Sequence, residues 1–226
     1  SNDILRIPTL SGRLAAGQLS GNLVMHTAEP ISYEGRLAVR DFDVGLLWAD
    51  LAPTGAKVTG LGQIQLSFQN RGGDMRDLTA TGSLYITKGN LTDLPVVSNI
   101  FTVFDEMVQA QERGKIERAS VNFHVEREII YFDRLHLAGP LFDLPGRGSL
   151  DLAGTINLRF TPDFIKGMLL PGVMQFPGLG KVWHEVLREE LLYAGRIRGD
   201  VDDPETTVEF LPPLGLDKKP KFAGTG

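Results

Sequence analysis

Apolar residues fall at alternate positions through most of the chain, the period of strands that bury one face. In "GRLAAGQLSGNLVMH" Leu19, Leu23 and Met25 are in phase, and "YEGRLAVRDFDVGLL" continues with Leu37 and Val39, then Phe42 and Val44. "GLGQIQLSFQN" sets Ile64, Leu66 and Phe68 on one side, "GSLYIT" Leu84 and Ile86, and "RASVNFHVE" Val121, Phe123 and Val125. The clearest run, "RGSLDLAGTINLRF", places Leu150, Leu152, Ile156, Leu158 and Phe160 on one face. Gly-Asn, Arg-Gly-Gly-Asp, Lys-Gly-Asn and Pro-Gly stand between the runs, at hairpin spacing. Lys88-Gly89-Asn90 reads as a tight turn, because Gly and Asn accept positive φ. Single-faced alternation predicts an antiparallel sheet of successive hairpins with one wetter side.

Two segments change period. Over residues 94–111, after Asp93 and Pro95, the residues Val97, Ile100, Phe101, Phe104, Met107 and Val108 form one helical stripe. Over 178–194, Leu179, Val182, Trp183, Val186, Leu187 and Leu191 form another, with Glu185, Arg188, Glu189 and Glu190 opposite. "PDFIKGMLL" adds a shorter helical turn ended by Pro171. The expected fold is therefore mostly β: a curved, groove-like antiparallel sheet with two or three amphipathic helices packed on one face. The first stripe, Val97, Ile100, Phe101, Phe104 and Met107, is expected to pack on Leu66, Phe68, Leu84, Ile86, Leu150, Leu152, Ile156 and Leu158. Those thirteen residues are the candidate groove.

With 226 residues the chain is long enough for a sizeable core, and we read 1–226 as a single domain with a flexible tail over 214–226. Ser1-Asn2 looks like the scar of a cleaved tag, which would make the chain an excised fragment of a longer protein. Glycine, 26 residues, exceeds the ordinary share of about 7%, and much of it lies at turns or just before strands. A net charge of −5, with no short window holding more than three Lys/Arg, argues against nucleic acid as a partner. There are no cysteines, which excludes disulfides and thiolate chemistry. The longest apolar stretch, "FIKGMLLPGVMQF", is broken by Lys166, Gly167, Pro171 and Gly172, well short of the roughly 20 residues that span a bilayer.

Catalytic chemistry finds little support. "WHEVLREE" holds His184-Glu185 without the second histidine of a zinc-protease helix. His26, His124 and His136 are scattered, the last two inside strand patterns. "DVDDPE" gathers Asp200, Asp202, Asp203 and Glu205, carboxylates suited to a hard cation, but lacks calcium-loop spacing and reads as a turn. "RGGDMRD" lacks the Gly-Lys-Ser/Thr ending of a phosphate loop and reads as a hairpin loop. No catalytic, cofactor or metal site is expected.

The run "GLGQIQLSFQNRGGDMRDLTATGSLYITKGNLTDLPVVSNIFTVF" resembles the C-terminal region of the AsmA family of envelope proteins, with Leu78, Gly82, Leu84, Gly89, Leu91, Leu94 and Pro95 carrying the likeness. Ala80 departs from it, standing where the family often has Gly. Gly146, Gly148, Leu150, Asp151, Leu152 and Gly154 carry a second match, and Gly199, Val201 and Pro204 a third. "RASVNFHVEREIIYFDRLHLAG" is similar to the family's strand–turn–strand unit. Coverage runs over about residues 30–213.

The resemblance implies a bridge-like lipid carrier or outer-membrane biogenesis segment, lining an apolar β-groove in the periplasm and anchored in the inner membrane when intact. Implied partners are lipid acyl chains and neighbouring β-modules or envelope proteins; exposed sheet edges would add edge-strand homo-oligomers. The competing classes are an assembly factor that binds another protein through its sheet edges, and a hydrolase hidden in a β scaffold. They differ in what they require: a continuous apolar trough, a patch rimmed by polar residues, or a pocket of converging titratable groups.

Overall fold

A computed structural model describes residues 3–51, 57–94, 97–98, 116–140, 142–161, 163–164, 192–201 and 203–211. They form one open antiparallel sheet in which sequence neighbours are ladder neighbours. The strands are β1 (Ile4–Leu14), β2 (Gly17–His26), β3 (Ser32–Asp43), β4 (Thr59–Asn70), β5 (Leu78–Asn90), β6 (Arg118–Glu126), β7 (Ile129–Ala138), β8 (Phe142–Asp151) and β9 (Thr155–Phe160). A two-residue β10 (Asp163–Phe164) pairs with β8, and β11 (Leu192–Asp200) and β12 (Pro204–Leu211) extend the sheet beyond β9. No parallel pairing occurs among the described strands, so short turns suffice between most of them.

The hairpin turns are made in different ways. At β1–β2 the two turn residues are Ala15 and Ala16, and at β6–β7 they are Arg127 and Glu128; all four have positive φ. That is the backbone twist a two-residue hairpin needs, reached without the usual Asn or Gly. The Arg-Gly-Gly-Asp stretch joins β4 to β5 and is organised by Asn70, which is 1% exposed. Its amide Nδ2 donates to the Asp74 carbonyl at 2.6 Å, and its Oδ1 accepts from Gly72 and Gly73 N–H at 3.1 and 2.7 Å.

Register slips by one residue in β1, in β3 at Asp41, between β4 and β5, and in β7 at Asp133–Arg134. Each such bulge bends its strand and raises the local twist. Lys88-Gly89-Asn90 belongs to this set: β5 continues through Asn90, and the positive φ falls on Lys88 as a bulge rather than a chain reversal.

Helices differ from expectation. An α-helix not foreseen, α1 (Val44–Leu51), follows β3, started by the Asp43 carboxylate accepting the Leu46 N–H at 3.1 Å. Val44, read as the last inward strand residue, is its first. Leu47 and Trp48 pack on the core while Leu46 and Leu51 stay exposed. Of the helix expected over 94–111, only residues 94, 97 and 98 are described, the last two helical; the rest lies outside the described residues. The helix expected over 178–194 must end earlier, because Leu192, Tyr193 and Ala194 are β11, paired with Leu211, Phe210 and Glu209. Residues 178–191, and the tail over 214–226, lie outside the described residues. In "PDFIKGMLL", Asp163-Phe164 is strand, not helix.

Candidate functional site: the two faces of the sheet

The ladder registers assemble the alternating residues into rows that cross the sheet. One row runs Gly12, Leu19, Val39, Ile64, Leu84, Val121, Leu135, Gly146, Phe160 and Gly195. The next runs Leu10, Gly21, Leu37, Leu66, Gly82, Phe123, Phe132, Gly148, Leu158 and Ile197. A third runs Ile7, Leu23, Gly35, Phe68, Ala80, Val125, Ile130, Leu150, Ile156 and Gly199. Every position in the three rows is apolar or glycine, from β1 to β11.

Glycine and bulk alternate across these rows for a steric reason. A Cβ on Gly35 would stand 2.8 Å from Phe68 Cζ, and one on Gly82 2.5 Å from Phe123 Cζ. Phe42 lies over Gly62 and Phe160 over Gly195 in the same way. Each ring reclines on the neighbouring strand's glycine, covering bare backbone and keeping the apolar face low.

Burial along this face is uneven. Val39, Phe42, Ile86, Leu137, Leu144, Ile156, Leu158, Phe160 and Ile197 belong to one continuous core cluster, and Ile197 is 0% exposed. At the β1 end Leu5 is 52% and Leu14 44% exposed. Of the candidate groove residues, Leu66, Phe68, Leu84, Leu150, Ile156 and Leu158 sit in the three rows, and Ile86 one row further along, opposite Gly62 and Ala119. Val97 is buried in the same cluster. Leu152 is a correction: β8 ends at Asp151, so Leu152 rides in the turn to β9 and is 54% exposed. Ile100, Phe101, Phe104 and Met107 lie outside the described residues.

The opposite face is polar, and it carries two hollows lined by described residues. One, of about 880 Å³, is lined chiefly from β2 to β7, with Asn22, Arg36, Ser67 and Thr81 across it. The second, of about 530 Å³, lies over β6 to β11. His124 and Asp133 belong to both. The β7 bulge brings the Asp133 carboxylate to His124 Nδ1 at 2.8 Å, and the imidazole stacks on Tyr131 with centroids 4.8 Å apart. His136 meets Asp143 at 3.4 Å. These are single pairs: among the described residues no three His, Asp or Glu side chains converge on one point. In "DVDDPE", Asp200 and Asp203 shape the β11–β12 turn, where Asp203 N–H donates to the Asp200 carbonyl at 3.2 Å, and Glu205 lies on β12 opposite Arg198.

Among the described residues no helix is long and apolar enough to cross a membrane. Comparisons with protein-family models, with curated proteins and with solved structures return no match.

Proposed function

We propose that the chain is a non-enzymatic lipid-binding segment whose apolar sheet face takes acyl chains, as the AsmA-like resemblance implies. The observation that carries this reading is the three uninterrupted apolar rows. At about 4.8 Å per strand they extend roughly 45–50 Å across the sheet, and with two residues between rows the band is about 14–20 Å wide. Row residues on β9 and β11 are already buried in the core, so the surface open to acyl chains lies toward β1, where Leu10, Leu19, Leu23, Leu37 and Leu66 stay partly exposed. A chain laid across the strands there meets only methyl, methylene, aromatic and glycine surface, and each CH₂ removed from water contributes about 0.8 kcal/mol. The reclining rings suit this role, since they leave a low surface with few projecting side chains. Curvature of the sheet into a groove, bridge-like transport, outer-membrane biogenesis and residence in the periplasm, anchored at the inner membrane, belong to the same proposal.

The outer edge of β1, to which no described strand pairs, favours a second reading, an assembly factor that adds a strand from another envelope protein or β-module. Native mass spectrometry of the purified chain separates the two. Co-purified phospholipid that disappears in Leu10→Asp and Leu23→Asp, with the circular dichroism spectrum unchanged, is the expected result. A lipid-free wild type that dimerises through β1 would replace the first reading by the second.

A further inference from the structure

The polar face holds an arrangement that the lipid-binding reading does not use. Arg147 on β8 is the register partner of Arg159 on β9, which is in turn the partner of Arg196 on β11. One row along, Ser149, Asn157 and Arg198 are likewise partners. All six line the open hollow of about 530 Å³. Register partners have Cα atoms only about 4.5–5.5 Å apart, and like charges directly opposite each other on a sheet are destabilising. Arg147 and Arg159, directly opposite each other, therefore call for a compensating anion, whereas Arg196 makes an interaction of its own and Arg198 stands opposite Glu205 on β12. Among the described residues the one carboxylate lining the hollow, Asp133, is already held by His124. Among the same residues Arg147 and Arg159 have no carboxylate within ion-pair distance.

We propose that this hollow is a binding site for a phosphate monoester dianion. Guanidinium forks match phosphate oxygens two at a time, and the Ser149 hydroxyl and Asn157 amide add neutral donors beside them. The site lies on the face opposite the apolar rows and does not rest on the lipid-binding reading.

Two probes distinguish a free anion from a lipid headgroup: glycerol 3-phosphate in calorimetric titration, and co-sedimentation with phosphatidylcholine vesicles containing or lacking phosphatidic acid, both at low ionic strength. The full chain is compared with Arg147→Gln, Arg159→Gln and, as a control on the same face at the far end of β3, Arg40→Gln. Binding of either probe that weakens about tenfold in R147Q and R159Q, the loss of one charge-assisted contact, and is unchanged in R40Q, supports the site. Binding of glycerol 3-phosphate makes the ligand a soluble phosphate; binding only to vesicles with phosphatidic acid makes it a headgroup. Absence of binding to both, or equal weakening in R40Q, overturns the proposal. Survival of binding in Leu10→Asp keeps it separate from the apolar face.

Discussion

The two ends of the sheet carry the same alternating pattern and treat it in opposite ways. On β8, β9 and β11 the inward residues Leu144, Ile156, Leu158, Phe160 and Ile197 are at most 5% exposed. On β1, Leu5 and Leu14 point the same way in register and remain about half exposed. The difference is not composition. Among the described residues β1 ends the sheet with β2 as its ladder partner, and inward burial grades from half-exposed on β1, through half-buried on the inner strands β2 and β4, to buried on β9 and β11. The sealed end is core; the β1 end is apolar surface presented to solvent, the kind of patch that marks an interaction site when contiguous.

The largest test of that contrast is truncation. Phe160→Ala removes a ring that is 3% exposed and lies over Gly195, and should cost about 3–5 kcal/mol in denaturant unfolding. Leu5→Ala, at a site already 52% in water, should cost less than about 1 kcal/mol. Equal losses would mean that β1 is as much core as β9.

Filling the glycine positions sharpens the comparison. Gly82→Ala puts a methyl group against Phe123 Cζ and 2.7 Å from the Gln65 carbonyl oxygen, so ring and backbone must both move, at about 1–3 kcal/mol. At Gly12 the nearest atom is Leu19 Cδ2 at 3.7 Å, ordinary contact, and Ala should be neutral or stabilising by up to about 1 kcal/mol. Thermal melts of the two variants should therefore move in different directions or by clearly different amounts. A harmless Gly82→Ala would remove the steric account of the Gly–aromatic alternation.

Much of the fold was legible because strand alternation is a local signal. Leu150, Ile156 and Leu158 could be assigned to one face from their spacing alone, as could Ile64, Leu66 and Phe68. What failed depended on more than spacing. α1 was missed because "VGLLWADL" is apolar nearly all round, so its helical period is masked and only the Asp43 cap marks its start. The first half of β1 was missed because Pro8 interrupts the pattern and sits where an edge strand tolerates it. Leu152 continued the alternation of β8 beyond the point where the turn had begun. The arginine row was hidden for a third reason: Arg147, Arg159 and Arg196 are far apart in sequence, and only the registers of β8, β9 and β11 bring them side by side.

The turns offer a smaller test. Ala15-Ala16 and Arg127-Glu128 all sit at φ between 46° and 65°, where an L side chain other than Asn costs roughly 1 kcal/mol. Replacing Ala15-Ala16 by Asn-Gly should stabilise the β1–β2 hairpin locally, raising amide protection in β1 most because β2 is its one ladder partner among the described strands. Arg127-Glu128→Asn-Gly should raise global stability by about 1 kcal/mol instead, since β6 and β7 lie inside the sheet. A β1 hairpin indifferent to the change would argue that the exposed end is held by something other than its turn.

The smallest expected effect is a pH dependence confined to the sealed end. Asp151 closes the β8–β9 turn: its carboxylate accepts the Thr155 N–H at 2.7 Å, and Gly154 N–H donates to its carbonyl at 3.1 Å. The Thr155 N–H is the main reason its pKa falls below the ordinary 3.8; the Thr155 hydroxyl and the Ala153 and Gly154 N–H groups add to it, against an opposing contribution from desolvation. A carboxyl group whose pKa is depressed by folding stabilises the fold above its unfolded pKa and loses that contribution as pH falls through the folded value. The stabilisation should therefore be whole at neutral pH, begin to fade below 3.8, and be small, because the group stays open to solvent. The β1–β2 turn, Ala15-Ala16, has no titratable side chain. Acid should accordingly lower amide protection around Thr155 in the wild type relative to Asp151→Asn, whose turn no longer titrates, while leaving the difference between the two proteins at β1–β2 at zero. If wild type and D151N lose protection in parallel at the β8–β9 turn as the solution is acidified through that range, the carboxylate does not hold this hairpin, and the sealed end owes its order to packing alone.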